Sequence, residues 1–472
     1  MAPPKHSRTL RKFGPILIGI ALLVQSCFKD DFKIVKNPPK QPNPPPTQPP
    51  VQPPPPAKDA CNPNVQYGYT DRVSYFPDET IIAYLQSNAT VDLCRLDIYD
   101  GGGNVAFSVS SPLTVQTVAS DEPYKNGYGF QRTIEFAVPA GTASGIYLIE
   151  NKIPFVLKTH DPVDLVVVYP SNTANAYCES GGKSLYTAPL SERPPIVSFH
   201  RPMQLQYFSY HCVLWLNQLE DYKIGYLADS DLDDYNSFSN SKVLILIGHN
   251  EYWTRIGRQN FDKYVDSGKN ALILSGNTMW WQVRYSADGS QLICYKDQKL
   301  DPETDNLLKT DYWDFSSLHY PIFSSICANF IEGGYGLRAD QGWDGYKIAS
   351  PNSPLLEGTN LKRGDVISIP SSEYDGAPLK GFDVEGYPII DQDALNVSRI
   401  ELIGFDRGYR DKATYGTFIV FQRSSTSGIV VNTATTDWCS YNGMGGDSGT
   451  VIKKITMNAV AKLLNGSEVF SK

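Results

Sequence analysis

The 472-residue sequence has eight cysteines but no CxxC pair, which argues against a zinc knuckle built on paired thiolates. No basic run occurs beyond the first dozen residues, and the formal charge is −8. A nucleic-acid partner is therefore not expected. Nothing repeats at a fixed period. The apolar stretch near the start, residues 13–24, is too short to span a bilayer comfortably. What the chain does have is 34 prolines, 29 tyrosines and enough length for two or three domains with a substantial core.

The first residues read as a targeting segment. Lys5, Arg8, Arg11 and Lys12 form a basic n-region, an apolar stretch follows, and LVQSC places Cys27 after the small Ser26. This is the pattern of a secretory signal. The cysteine at the cut resembles a bacterial lipobox, which implies removal of residues 1–26 and lipidation of Cys27. A plain signal peptide or an uncleaved anchor is the alternative. CFKDDF also resembles the surface-export signal of Bacteroidetes lipoproteins. The expected place is the outer membrane, held by lipid and facing outward. Residues 27–57 would be the lipidated cysteine and a tether. Its proline-rich part, residues 38–56, favours polyproline II and reaches on the order of 60 Å at about 3.1 Å per residue. Seven cysteines remain after Cys27, so at least one thiol is free. Whether Cys61 pairs with Cys94 stays open.

Residues 58–160 read as a β-sandwich. TIIAYL, RLDIYD, TIEFAVP, GIYLIE and FVLKT are short, rich in branched and aromatic residues, and separated by turn signals such as Gly101, Gly102 and Gly103. The pattern changes near Asp161. DLVVVYP, KVLILIG and NALILSG are continuous apolar runs, as strands buried on both faces should be. Between the last two, TRIGRQNFDKYVDSG carries Ile256, Phe261, Tyr264 and Val265 at roughly helical spacing and Gly268 as a stop. Strand, helix, strand predicts a parallel pair with a right-handed crossover. IVVNTATTDW and ITMNAVAKLL predict one more strand and a closing helix. Residues 161–472 are thus expected to form an α/β domain with a mostly parallel sheet.

Sites in such sheets lie beyond the carboxyl ends of the strands. One strand leads to YPSNTANAYCESGGKSLY, the next ends in GHNEYW and the third in SGNTMWW. His249, Glu251 and Asn277 could meet there. Each has an ordinary structural reading as well: a glutamate complementing a helix dipole, a satisfied histidine, and Tyr252, Trp253, Trp280 and Trp281 as core or pocket wall.

GHNEYW, then SGNTMWWQVR, preceded by AYCESGGKSLY, resembles the C-terminal domain of the N,N-dimethylformamidase large subunit, as do RPM (Arg201 onward), LICYKD and NTATTDW. The resemblance implies a fold similar to class I glutamine amidotransferases and an upstream sandwich. It also implies mononuclear iron, ferric in character, held by two tyrosines and a glutamate. Glu251 falls on the glutamate, and Tyr177 and Tyr186 fall on the tyrosines, with Tyr207, Tyr210 and Tyr252 as competitors. His249 is the implied proton carrier and Asn277 the implied substrate or oxyanion partner. Phenolate and carboxylate are hard donors suited to such an ion, and a tyrosine must lose its proton to bind it. The expected function is metal-dependent hydrolysis of an amide C–N bond, in a small amide or a larger exported substrate. The alternative is a non-catalytic surface binding protein with a degenerate site. A cysteine nucleophile would need a cysteine on a sharp strand-to-helix turn, and LILIGHNEYW and LILSGNTMWW have none. Oligomeric state is open, a homo-oligomer included.

Overall fold

The computed structural model describes residues 59–205, 209–336 and 342–472. Cys27, the signal segment, the proline-rich tether and Tyr207 lie outside the described residues.

Two sheets open the described chain. One joins Val65–Thr70, Ile81–Ser87 and Ile134–Phe136, all antiparallel. The other has five strands in the order Ser74–Tyr75, Ile153–Leu157, Gly145–Ile149, Val91–Asp100 and Val105–Leu113. Alternate residues of these strands fill a shared core of Leu85, Leu96, Ile98, Ile149 and Phe155. A Cys61–Cys94 disulfide ties the first turn to this core, and Cys178, Cys212, Cys294, Cys327 and Cys439 are free and buried.

The large sheet begins with Ile224–Ala228, Leu165–Tyr169, Val243–Gly248, Asn270–Ser275 and Ile429–Asn432, all parallel. Their side chains alternate between two cores. Val167, Ile245 and Leu272 face the closing helix Gly449–Asn465 through Ile452, Ile455 and Leu463. Val166, Leu244 and Ile273 face the helix Arg255–Asp266 through Phe261, Tyr264 and Val265. Burial on both faces is why these segments are continuously apolar, each Leu or Ile contributing about 1.5–3 kcal/mol. Thr254 caps the crossover helix by accepting from Gly257 N at 2.9 Å. Ile256, expected on the apolar stripe, is instead 54% exposed.

The expectation of a mostly parallel sheet, similar to a class I glutamine amidotransferase, is corrected here. Past Ile429–Asn432 the sheet continues through Lys412–Gln422, Arg399–Arg410, Gly334–Tyr335 and Glu373–Gly376, all antiparallel. Gly345–Ile348 and Val366–Ser368 add a further antiparallel branch. A smaller sheet of Ile196–Ser198, Gln291–Ile293, Trp281–Tyr285 and Tyr252–Thr254 is mixed. Strand outweighs helix across the described chain. The physical cause is chain length between strands. Only Asp411 separates Arg399–Arg410 from Lys412–Gln422, and a parallel pair needs a crossover of roughly a dozen residues or more.

Candidate functional site

The site forms where three of the parallel strands end. Val243–Gly248 stops at Gly248, whose φ of 74° turns the chain before His249. A Cβ at this position would collide with the Ser209 hydroxyl. Gly248→Ala is therefore expected to lower stability by about 1–3 kcal/mol through the left-handed backbone and the clash. Thermal melting checks this, and an unchanged melting temperature would contradict it.

After the turn, Asn250 is fully buried; its N–H donates to Ser275 Oγ at 3.0 Å and its carbonyl accepts from Trp253 Nε1 at 3.0 Å. Glu251 N–H donates to Thr173 Oγ1 at 2.9 Å. Thr173 belongs to the buried helix Ser171–Tyr177, which follows Leu165–Tyr169 and carries Tyr177 at its end. Two loaded strand ends are thereby fixed to each other.

Glu251, 2% exposed, is the centre. Its Oε1 accepts from Tyr186 OH at 2.7 Å and from Trp281 Nε1 at 2.9 Å. The Tyr177 ring stacks on Tyr186 with centroids 4.0 Å apart and lies 5.6 Å from the His249 ring. His249 Nε2 is 3.5 Å from Glu251 Oε2 and 3.4 Å from Glu373 Oε2. Asn277 Nδ2 donates to Glu373 Oε2 at 3.0 Å. All five residues predicted from sequence are thus gathered around one point. Asn277, however, spends one of its two amide N–H hydrogens on Glu373.

Among the tyrosine competitors, Tyr252 is buried beside Tyr186 and accepts from Lys296 Nζ at 2.7 Å. Tyr210 packs on the large core instead. The Cys178 thiol is buried and donates to the Pro202 carbonyl at 3.0 Å.

Glu373 and Lys296 belong to the site without having been singled out from the sequence, whereas Trp281 and Arg201 are named with its motifs. Glu373 opens an antiparallel strand and is held by Thr436, whose N–H donates to its carbonyl at 3.1 Å. NTATTDW carried the only signal for it, as the segment that anchors this glutamate. Lys296 lies 3.6 Å over the Tyr186 ring, and Trp281 supplies its indole N–H to Glu251. Arg201, in the RPM motif, is 1% exposed. It donates to the carbonyls of Asn175, Ser180, Lys183 and Ser198 at 2.7–3.0 Å, and so pins the loop between Tyr177 and Tyr186.

Burial dominates the electrostatics. Burial, then the Glu251 charge, holds the phenols of Tyr186 and Tyr252 well above their ordinary range. Burial also pulls Lys296 down to about 8 and lowers His249. It pushes Glu373 up to about 8, with the Glu251 charge adding to the effect. Tyr177, Tyr186, Glu251, Lys296 and Glu373 line a cleft of about 790 Å³ together with Trp280, Tyr312 and Phe330.

A hard cation fits this donor set. Glu251 Oε2 is buried and has no hydrogen-bond partner among the described residues. The Tyr186 phenol stands at its other oxygen, and the Tyr177 ring stacks on Tyr186. Phenolate formation needs compensating positive charge here, because burial opposes it. Among the described residues no group of three or more His, Cys, Asp and Glu side chains is arranged to hold a metal ion, so a cation here would need the tyrosines as ligands.

Of the comparisons with known proteins, one agrees with the motifs. No curated protein matches the sequence. Among solved structures, a ThuA-like protein from Bacteroides uniformis is similar with 10% identity and a TM-score of 0.33, over 65% of this chain and 93% of that one; a likeness this small bears on neither fold nor activity. Residues 90–440 match the family model described as N,N-dimethylformamidase beta subunit-like, C-terminal. That match covers well over half of the sequence, and the chain belongs to this family.

Proposed function

We propose that the protein is a metal-dependent hydrolase of amide C–N bonds. Tyr177, Tyr186 and Glu251 would hold one iron ion. The observation that carries this reading is the buried Glu251 carboxylate: one oxygen faces the Tyr186 hydroxyl, and the other has no hydrogen bond among the described residues. Family membership supports the same chemistry. When bound, the ion would act as a Lewis acid on the amide carbonyl and make a coordinated water more acidic.

The chain's own residues supply the rest. Glu373 Oε2 and His249 Nε2, 3.4 Å apart, are placed to pass a proton between water and the leaving amine. Asn277 orients Glu373 through its 3.0 Å hydrogen bond. Trp281 fixes the Glu251 carboxylate through Oε1. Burial of these groups keeps competing water out and strengthens every electrostatic contact. We also place the protein as a lipoprotein at the outer membrane, anchored through Cys27 and the tether, with residues 58–160 and 161–472 as its two folded domains.

The test is amine release from a panel of simple formamides and acetamides, with iron-loaded and chelator-stripped protein side by side. Iron-dependent release is expected. Release that ignores iron would contradict the reading, and no release from any amide would favour a cleft that binds without cutting. Trp281→Phe keeps an aromatic side chain but loses the indole N–H and the second ring. It is expected to weaken metal affinity about 10–100-fold, as loss of a partner that orients a ligand does. A metal titration of the folded variant checks this.

A further inference from the structure

We propose that the substrate amide also carries a carboxylate, which Arg410 holds at the far end of the cleft; the inference rests on the hydrolase reading above. Arg410 closes the hairpin of the two long antiparallel strands and lines the same cleft as Glu251. Its guanidinium lies over the faces of Trp280 at 4.9 Å and Phe330 at 5.3 Å. Its Nη1 is buried and has no hydrogen-bond partner among the described residues. A buried guanidinium nitrogen without an acceptor is costly, and a ligand oxygen would remove that cost.

The neighbouring acids are already engaged. Asp314, the carboxylate whose charge the Arg410 guanidinium feels, accepts from Ile322 N at 2.7 Å and from Asn329 Nδ2 at 2.7 Å. Asp311 accepts from Tyr312 N at 2.8 Å and Gln298 N at 3.3 Å. Glu251 and Glu373 are engaged with Tyr186, Trp281 and Asn277. Asp411, on the hairpin turn itself, is exposed. Lys412 adds a second cation to the same wall.

Between the two ends runs an aromatic floor. Trp281, bonded to Glu251, meets Trp280 edge to face at 5.9 Å, and Trp280 stacks on Tyr312 at 5.5 Å. A cleft of about 790 Å³ is far larger than a one-carbon amide fills. The arrangement fits a flat, largely apolar molecule with its amide at Glu251 and its carboxylate paired with the guanidinium, as in an N-acyl amino acid. Guanidinium suits a planar carboxylate because two parallel hydrogen bonds form at once.

The test uses N-benzoylglycine and its uncharged methyl ester as probes, with affinities measured by calorimetry on the purified protein and on Arg410→Gln. The acid is expected to bind roughly tenfold or more tightly than the ester, as a charge-assisted pair allows. Arg410→Gln is expected to erase that preference while melting normally. Equal binding of the two probes, no binding of either, or a preference that survives in Arg410→Gln would overturn the inference. Carboxylate-selective binding without any amide hydrolysis would keep Arg410 as a carboxylate site and remove the hydrolase reading on which its substrate role rests. Hydrolysis of neutral amides without carboxylate preference would do the reverse.

Discussion

Glu251→Gln is expected to leave a folded protein that has lost its metal and its amide hydrolysis. The substitution keeps the size of the side chain, so the buried pocket between Tyr186 and Trp281 stays filled. It removes the negative charge that a hard cation needs, and it places an amide group where the carboxylate accepts at 2.7 and 2.9 Å. Either the amide NH2 faces those two donors, or it turns toward the cation; neither arrangement is favourable. A metal acting as a Lewis acid supplies several kcal/mol of transition-state stabilisation, so the expected fall in turnover is on the order of a thousandfold. Metal content should fall with it. The melting temperature of metal-free protein should change little, because one hydrogen-bonded carboxylate is replaced by a neutral group of the same shape. Metal analysis, amine release and thermal melting on one preparation check all three. A variant that keeps both metal and turnover would remove Glu251 from the ligand set.

Arg201→Leu is expected to produce the largest loss of stability of any single substitution around the site. The guanidinium is buried and paired with carbonyls alone, not with a carboxylate, and burial accordingly holds its pKa below the ordinary value. Four backbone carbonyls depend on it, three of them from the stretch that runs from the Ser171–Tyr177 helix to Tyr186. Truncation removes the guanidinium donor from each of these carbonyls, and although Asn175 O keeps Cys178 N at 3.2 Å, each lost partner costs about 1–3 kcal/mol, less than additively. A total loss of at least about 3–5 kcal/mol follows, and the loop that sets Tyr186 against Glu251 is released. Arg201→Lys should recover only part of this, since an ammonium has three donors and no planar fork. Chemical denaturation gives the stability. Metal affinity, measured on whatever fraction folds, shows whether the loop matters to the site. Unchanged stability in Arg201→Leu would contradict this account of the motif.

The parallel half of the sheet was legible because burial on both faces leaves a plain mark: LVVVY, VLILIG and NALILS have no polar alternation to confuse the reading. The strand ends were legible for a related reason. His249, Glu251 and Asn277 interrupt apolar runs, and a polar group there must be satisfied by something. The antiparallel half was hidden. Arg399–Arg410 mixes exposed charge with buried residues, and its pairing with Lys412–Gln422 depends on a single-residue turn at Asp411, which does not look like the usual two-residue signal. Extending the parallel pattern over this region produced the wrong sheet. Glu373 and Arg410 were missed with it, because both sit on those strands. Lys296 was missed differently. It is the lysine of LICYKD, but its role comes from lying over Tyr186 across more than a hundred residues of chain, and the motif alone does not announce that contact.

The central claim is that Tyr177, Tyr186 and Glu251 bind iron. The direct measurement is metal content by mass spectrometry, with a visible spectrum of the same chelator-free sample, for the natural sequence and for Tyr186→Phe. The account predicts about one iron per chain, a coloured protein with a tyrosinate-to-iron charge-transfer band, and loss or a marked shift of that band in Tyr186→Phe. A colourless protein that takes up no iron when iron is supplied, or a band that Tyr186→Phe leaves unchanged, would contradict it.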